Sequence, residues 1–168
     1  MNEYTDGETV KLASRLVRSP VRTLSSRPAL LQWVRSDDLE PLRAALIRGY
    51  LPPDLSGKLE SMAGGDLSLR FIEQNCRLFA ALLRETEQGD FPEASPAQRE
   101  RLLRVLAYVR NSEDAIPDYW ANGFTDDRQE ILAAIVELGG LLQAFKAWRL
   151  RHQVPAMWAG QETKRLQV

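Results

Sequence analysis

Three observations predict an all-α domain. The two longest apolar stretches repeat at intervals of three and four rather than two. One carries Ile72, Phe79, Leu82 and Leu83, and the other Ile131, Ile135, Leu138, Leu142 and Phe145. That spacing places side chains on one face of a helix. Helix start and stop chemistry recurs between such stretches, most fully at Ser95-Pro96-Ala97-Gln98, which reads as an N-cap, an N1 proline and a capping-box glutamine in order. The one alternating segment, Leu67, Leu69 and Phe71 with Ser68 and Arg70 between them, has no strand-like neighbour to pair with, so it too is assigned to a helix. The expected architecture is a single compact bundle of six or seven helices.

Taken in order, the chain opens with a frayed stretch over 1–8. A first helix follows from about Glu8 to Arg18, with Val10, Leu12, Ala13, Leu16 and Val17 inward, stopped by Pro20. After a Ser/Arg-rich connector, Pro28 opens a short helix carrying Leu30, Leu31 and Val34. Ser36-Asp37-Asp38 is an N-cap signal with Pro41 placed in the first turn, and that helix ends at Gly49 before Pro52-Pro53. Asp54 caps a further short helix through Met62 that stops at Gly64-Gly65. A long helix spans Asp66 to Glu87, and Gly89 to Ser95 is a loop. The helix after Ser95 reaches Arg110 with Leu102, Leu103, Leu106 and Val109 inward. Thr125-Asp126-Asp127 caps the last helix, which runs to His152 before Pro155, and 153–168 forms a tail with Met157 and Trp158 able to dock. The last two long helices are thus joined by an acidic Ile-Pro-Asp turn. Gly139-Gly140 within a helix costs about 1 kcal/mol each relative to alanine, which points to a close helix crossing or a kink. The expected organisation is one domain over 1–168, with a subdivision into 8–63 and 66–152 allowed by the Gly64-Gly65 break.

Composition narrows the function classes. The chain has 168 residues, 44% apolar and 27% charged, with a net charge of −1. Bulk charge therefore points to neither nucleic acid nor a membrane. A chain of this length can bury a core without disulfides or structural zinc. Cys76 is the only cysteine, so no intramolecular disulfide can form, and a reducing, cytoplasmic setting is expected. The N-terminus is acidic and polar and does not read as a secretory signal. The apolar stretch from Ile131 to Phe145 is interrupted by Glu137 and Gln143, so it is expected to be a buried helix and not a transmembrane one. One histidine, His152, excludes a catalytic triad or a two-histidine metal site; beside Arg149 and Arg151 it suits a helix C-terminus.

The most unusual stretch lies between the last two helices. Asp114, Asp118, Asp126 and Asp127 fall within fourteen residues. The pattern Tyr108, then Asp114-Ala-Ile116-Pro117-Asp118, then Gly123, then Asp126-Asp127 opening an apolar helix resembles the YkvA-like domain of unknown function, family 1232. The resemblance covers roughly Leu102 to Leu142, about a quarter of the chain. Ser112 and the region of Ala121 depart from it where the family has proline, and the loop at Gly123 is one residue shorter. The family brings no established activity; some of its members are membrane-associated.

Read from the residues, the four aspartates allow three roles. They can shape the turn and serve the helix N-terminus. Converging at one end of the bundle, they can bind Mg²⁺, Mn²⁺ or Ca²⁺, hard cations that take carboxylate oxygens. A metal-dependent hydrolase would further need a positioned water, a base and a cleft, none of which the sequence shows. Tyr119 and Trp120, loop aromatics, are the best candidates for a protein-partner or self-association surface. Arg15, Arg18 and Arg22 belong to a basic segment over 11–35 that holds no acidic residue; it can contact phosphates or an anionic surface, or line a solvated helix face. Nucleic acid is not expected, as no recognised motif accompanies the charge. The reading is a non-enzymatic helical interaction or regulatory module, with a divalent-cation domain and a peripheral phosphate binder as alternatives.

Overall fold

The computed structural model describes residues 34–152, and within them every regular element is α-helical. The helices are α1 (Ser36–Ile47), α2 (Pro53–Ala63), α3 (Leu67–Glu87), α4 (Pro96–Arg110) and α5 (Thr125–His152). The helices expected over 8–18 and from Pro28, the tail with Met157 and Trp158, and Arg15, Arg18 and Arg22 lie outside the described residues. Among the described residues there are five helices, so the coarser expectation, an all-α fold, stands.

Local chemistry sets the helix ends. Ser95 Oγ accepts the Gln98 amide N–H at 3.3 Å while Gln98 Oε1 accepts the Ser95 N–H at 2.9 Å, the reciprocal capping box. Asp66 caps α3 by accepting the Leu69 N–H at 2.9 Å, so the alternating Leu67/Leu69/Phe71 segment is helical from Leu67 onward. Gly49 (φ 86°) and Gly89 (φ 85°) end α1 and α3 in the left-handed region that a side chain disfavours. At each, the next residue returns to the helix: Tyr50 donates to Ala45 O at 3.2 Å and Asp90 to Glu85 O at 2.9 Å.

Two start signals resolve differently. Arg35, not Ser36, is the N-cap of α1 and makes no side-chain cap bond, which leaves Pro41 in the second turn instead of the first. In α2, Pro52 is the cap and Pro53 the first helical residue. Asp54 sits one residue inside the helix: its Oδ1 accepts the Leu55 N–H at 2.9 Å, while its Oδ2 accepts from Arg110 Nε at 2.6 Å and ties α2 to the end of α4.

All five helices feed one apolar cluster. Leu42 and Leu46 of α1, Leu55 and Leu59 of α2, Ile72 and Phe79 of α3, Leu102 and Leu106 of α4, and Ile131 and Phe145 of α5 are essentially without solvent contact. Phe91, from the α3–α4 loop, packs edge-on against Phe145 at 5.1 Å, and Trp148 stacks on Phe145 at 5.8 Å. Cys76 is buried in this cluster, where burial pushes its thiol far above the ordinary range, as expected of an inert core cysteine. The outer side of α5 exposes Val136 and Leu150. By length and composition alone α5 could cross a membrane, with a mean hydropathy of 1.4 over its best window, 39% of which is buried.

α5 is kinked, with Leu138 at φ −108°, ψ 16°, immediately before Gly139-Gly140. A Cβ added at either glycine would meet no atom within 4 Å, so among the described residues no helix crosses closely there. Of the two expectations for the glycine pair, the kink is the one observed. Gly140→Ala should therefore raise stability, by about 0.5–1 kcal/mol, because alanine restricts the unfolded chain and meets no clash in the helix. Urea denaturation would check this, and a loss of stability would show that the position needs glycine.

Candidate metal centre

The loop between α4 and α5 is built around Asp126. Its Oδ2 accepts the Tyr108 hydroxyl at 2.6 Å and the Ile116 amide N–H at 3.0 Å. Tyr108 lies in the last turn of α4, Ile116 in the middle of the loop and Asp126 is the second residue of α5, so one carboxylate oxygen joins all three. Both Tyr108 and Asp126 are buried. Burial first, then the bond to Asp126, pushes the Tyr108 hydroxyl well above its ordinary range, so it serves as a donor.

Backbone bonds coil the rest of the loop. Asp118 N–H reaches Ser112 O at 3.3 Å, Trp120 N–H reaches Pro117 O at 2.9 Å and Gly123 N–H reaches Trp120 O at 3.0 Å. Gly123 lies directly against the Pro117–Asp118 backbone: a Cβ there would stand 2.5 Å from Pro117 O and 2.6 Å from Asp118 Cα. This close approach presses Asp118 toward the N-terminus of α5.

As a result Asp114, Asp118 and Asp127 each present a carboxylate oxygen within 4.8 Å of the others. Asp127 has no exposure and Asp114 is 4% exposed. Neither oxygen of Asp114 has a hydrogen-bond partner, nor has Oδ1 of Asp118 or of Asp127. Asp126 stands apart from this trio, occupied through Oδ2 by its loop contacts.

The counter-charge comes from α2. Lys58 Nζ lies 2.8 Å from Asp118 Oδ2 and 3.1 Å from Asp127 Oδ2, with its side chain 8% exposed and the Phe124 ring centroid 5.5 Å away. Burial works against the ammonium, but the charges of Asp127 and Asp118 outweigh it and hold the Lys58 pKa above its ordinary value. One ammonium still faces four carboxylates. Burial, reinforced by the Asp126 charge and opposed by Lys58, pushes Asp114 up to about 7. Burial likewise pushes Asp127 up to about 8, against the pull of Lys58 and with the push of Asp114 and Asp118. The centre is short of positive charge, and it makes up the deficit with protons.

Sequence reasoning missed Lys58, whose helix shows no local signal for it. A weak signal exists in residue choice: Lys58 is one of only four lysines, with Lys11, Lys146 and Lys164, in a chain that otherwise uses arginine. Its ammonium is a compact point charge with three rotatable donors, able to face two separate carboxylates. Tyr119 and Trp120 lie on the outside of the same loop, 72% and 58% exposed. His152, the last described residue, pairs Nδ1 with Trp148 O at 2.8 Å and stacks on the Trp148 ring.

Comparison with protein-family models, with curated proteins and with solved structures finds no match for this chain.

Two outcomes are expected from this geometry. Gly123→Ala should destabilise the protein by about 1–3 kcal/mol, the usual penalty of forcing a methyl group into filled space, because the neighbouring atoms are backbone. An unchanged urea midpoint would contradict the close approach. The second concerns pH. A carboxyl whose pKa is higher folded than unfolded keeps a proton that the unfolded chain has already shed, so stability falls as pH rises. For Asp114 and Asp127 that loss begins above the ordinary carboxyl range and is complete only beyond about 7 and 8. Chelator-treated protein should melt at a higher temperature at pH 5.5 than at pH 8.5; the reverse order would show that the carboxylates are ionised and compensated.

Proposed function

We propose that this chain is a non-enzymatic regulatory module that binds a divalent cation at Asp114, Asp118 and Asp127. The observation that carries the reading is Asp114, a buried side chain whose two oxygens have no donor although they face two other carboxylates. An unpaired buried charge is costly, and a cation supplies what the fold leaves missing. The donor set is all oxygen, which suits Mg²⁺, Mn²⁺ or Ca²⁺ and not zinc. Ligand oxygens on opposite sides of an ion stand about 4.0–4.2 Å apart for Mg²⁺ and about 4.6–5.2 Å for Ca²⁺, twice the respective bond lengths. The three oxygens lie within 4.8 Å of one another, inside the span that a single ion of this class can bridge.

Membership of the YkvA-like family forms part of this proposal. What supports it is that Tyr108, Ile116, Gly123 and Asp126 of the motif hold the loop together while Asp114, Asp118 and Asp127 supply its free charge. A protein-interaction role through Tyr119 and Trp120 is compatible with it, favoured by two large aromatic side chains standing in solvent on the same loop.

Thermal melts of chelated protein, with and without each ion, test the cation reading. A cation that binds only the folded state should add about 2.7 kcal/mol at a hundredfold excess over its dissociation constant. Asp114→Asn should remove that rise and at the same time raise the melting temperature of the chelated protein, because it deletes one of the repelling charges. No shift with Mg²⁺, Mn²⁺ or Ca²⁺ would overturn the proposal.

A further inference from the structure

Resting on the cation reading, we infer that Lys58 is a tethered competitor for the site: its ammonium occupies the Asp118–Asp127 pair until a cation displaces it, which releases α2 from the acidic loop. The argument is geometric. Lys58 Nζ is 2.8 Å and 3.1 Å from one oxygen each of Asp118 and Asp127, two of the three residues that converge on the site. A hard cation bonds such oxygens at about 2.0–2.6 Å. An ammonium and a dication cannot both stay within bonding distance of the same pair inside a buried centre, since like charges at that separation repel strongly where water is excluded.

The lysine is built to leave. It hangs from the short helix α2 next to exposed Gly57, around which a Cβ would find open space, so solvent lies one residue away. A lysine stem of four methylenes can lie along apolar surface and carry its head to water. The other tie between α2 and this end of the bundle, Arg110 to Asp54, does not involve the trio and persists. Cation occupancy is in this way converted into a change at α2: an internal ion pair is exchanged for a bound ion, and Lys58 appears at the surface.

Acetylation of the full chain, read residue by residue by mass spectrometry, reports the exchange, with Lys11, Lys146 and Lys164 as internal references. In chelator Lys58 should be the slowest lysine to react. Saturating Ca²⁺ or Mn²⁺ should speed its labelling at least fivefold and leave Lys146 unchanged. Lys58→Met should bind Mn²⁺ at least tenfold more tightly than wild type in calorimetry, and the wild-type labelling decides the matter should that variant not fold. Calorimetric binding to wild type with Lys58 labelling unchanged would overturn the competitor role and leave the cation site standing. Absence of binding by every ion would remove both.

Discussion

The acidic loop depends on a single carboxylate oxygen. Asp126 Oδ2 receives the Tyr108 hydroxyl and the Ile116 amide together, and so fixes the end of α4, the middle of the loop and the start of α5 relative to one another. Hydrogen bonds to a charged acceptor in a buried setting are short and strong, and losing one leaves the partner's desolvation uncompensated. Asp114, Asp118 and Asp127 have no comparable partners among themselves. They are brought together because Asp126 and Gly123 leave the chain no other course, and their mutual repulsion is tolerated at the expense of the bond that holds the loop.

That arrangement separates two jobs that four neighbouring aspartates seemed to share. One aspartate is architectural and three are left with unspent charge. Lys58 offsets part of this charge from the side, and protons on Asp114 and Asp127 offset more near neutrality. A purely structural turn would be simpler with asparagine at Asp114, which could meet its neighbours with donors as well as acceptors. Retaining a buried carboxylate there makes the centre responsive to whatever positive charge is available.

How much of this could be read from the sequence follows from distance along the chain. Helix ends governed by adjacent residues were legible: the Ser95–Gln98 box and the glycine stops at Gly49 and Gly89. The starts of α1 and α2 were displaced because an aspartate near a proline satisfies the same local pattern whether it caps the helix or pairs elsewhere, as Asp54 does with Arg110. Asp114, Asp118 and Asp127 stand close enough in sequence for a helix–loop–helix turn to gather them. The separation of Asp126 from that trio needed the hydroxyl of Tyr108, and Lys58 needed the packing of a different helix altogether. Neither leaves a periodic trace. The kink at Leu138 was foreshadowed by two glycines, yet the open space beside them could be seen only once the neighbours were in place.

The ties that complete the centre reach far along the chain: Arg110 meets Asp54 across 56 residues, and Lys58 spans a similar interval. Helix formation and the α4–α5 hairpin rely on local contacts, which form quickly, whereas closing a long interval carries a larger entropic cost and comes later. Until α2 docks, the ammonium that faces Asp118 and Asp127 is absent from the loop. The charge balance of the loop thus rests on a helix far away along the chain, so whatever loosens α2 from the bundle also takes away the counter-charge of Asp118 and Asp127.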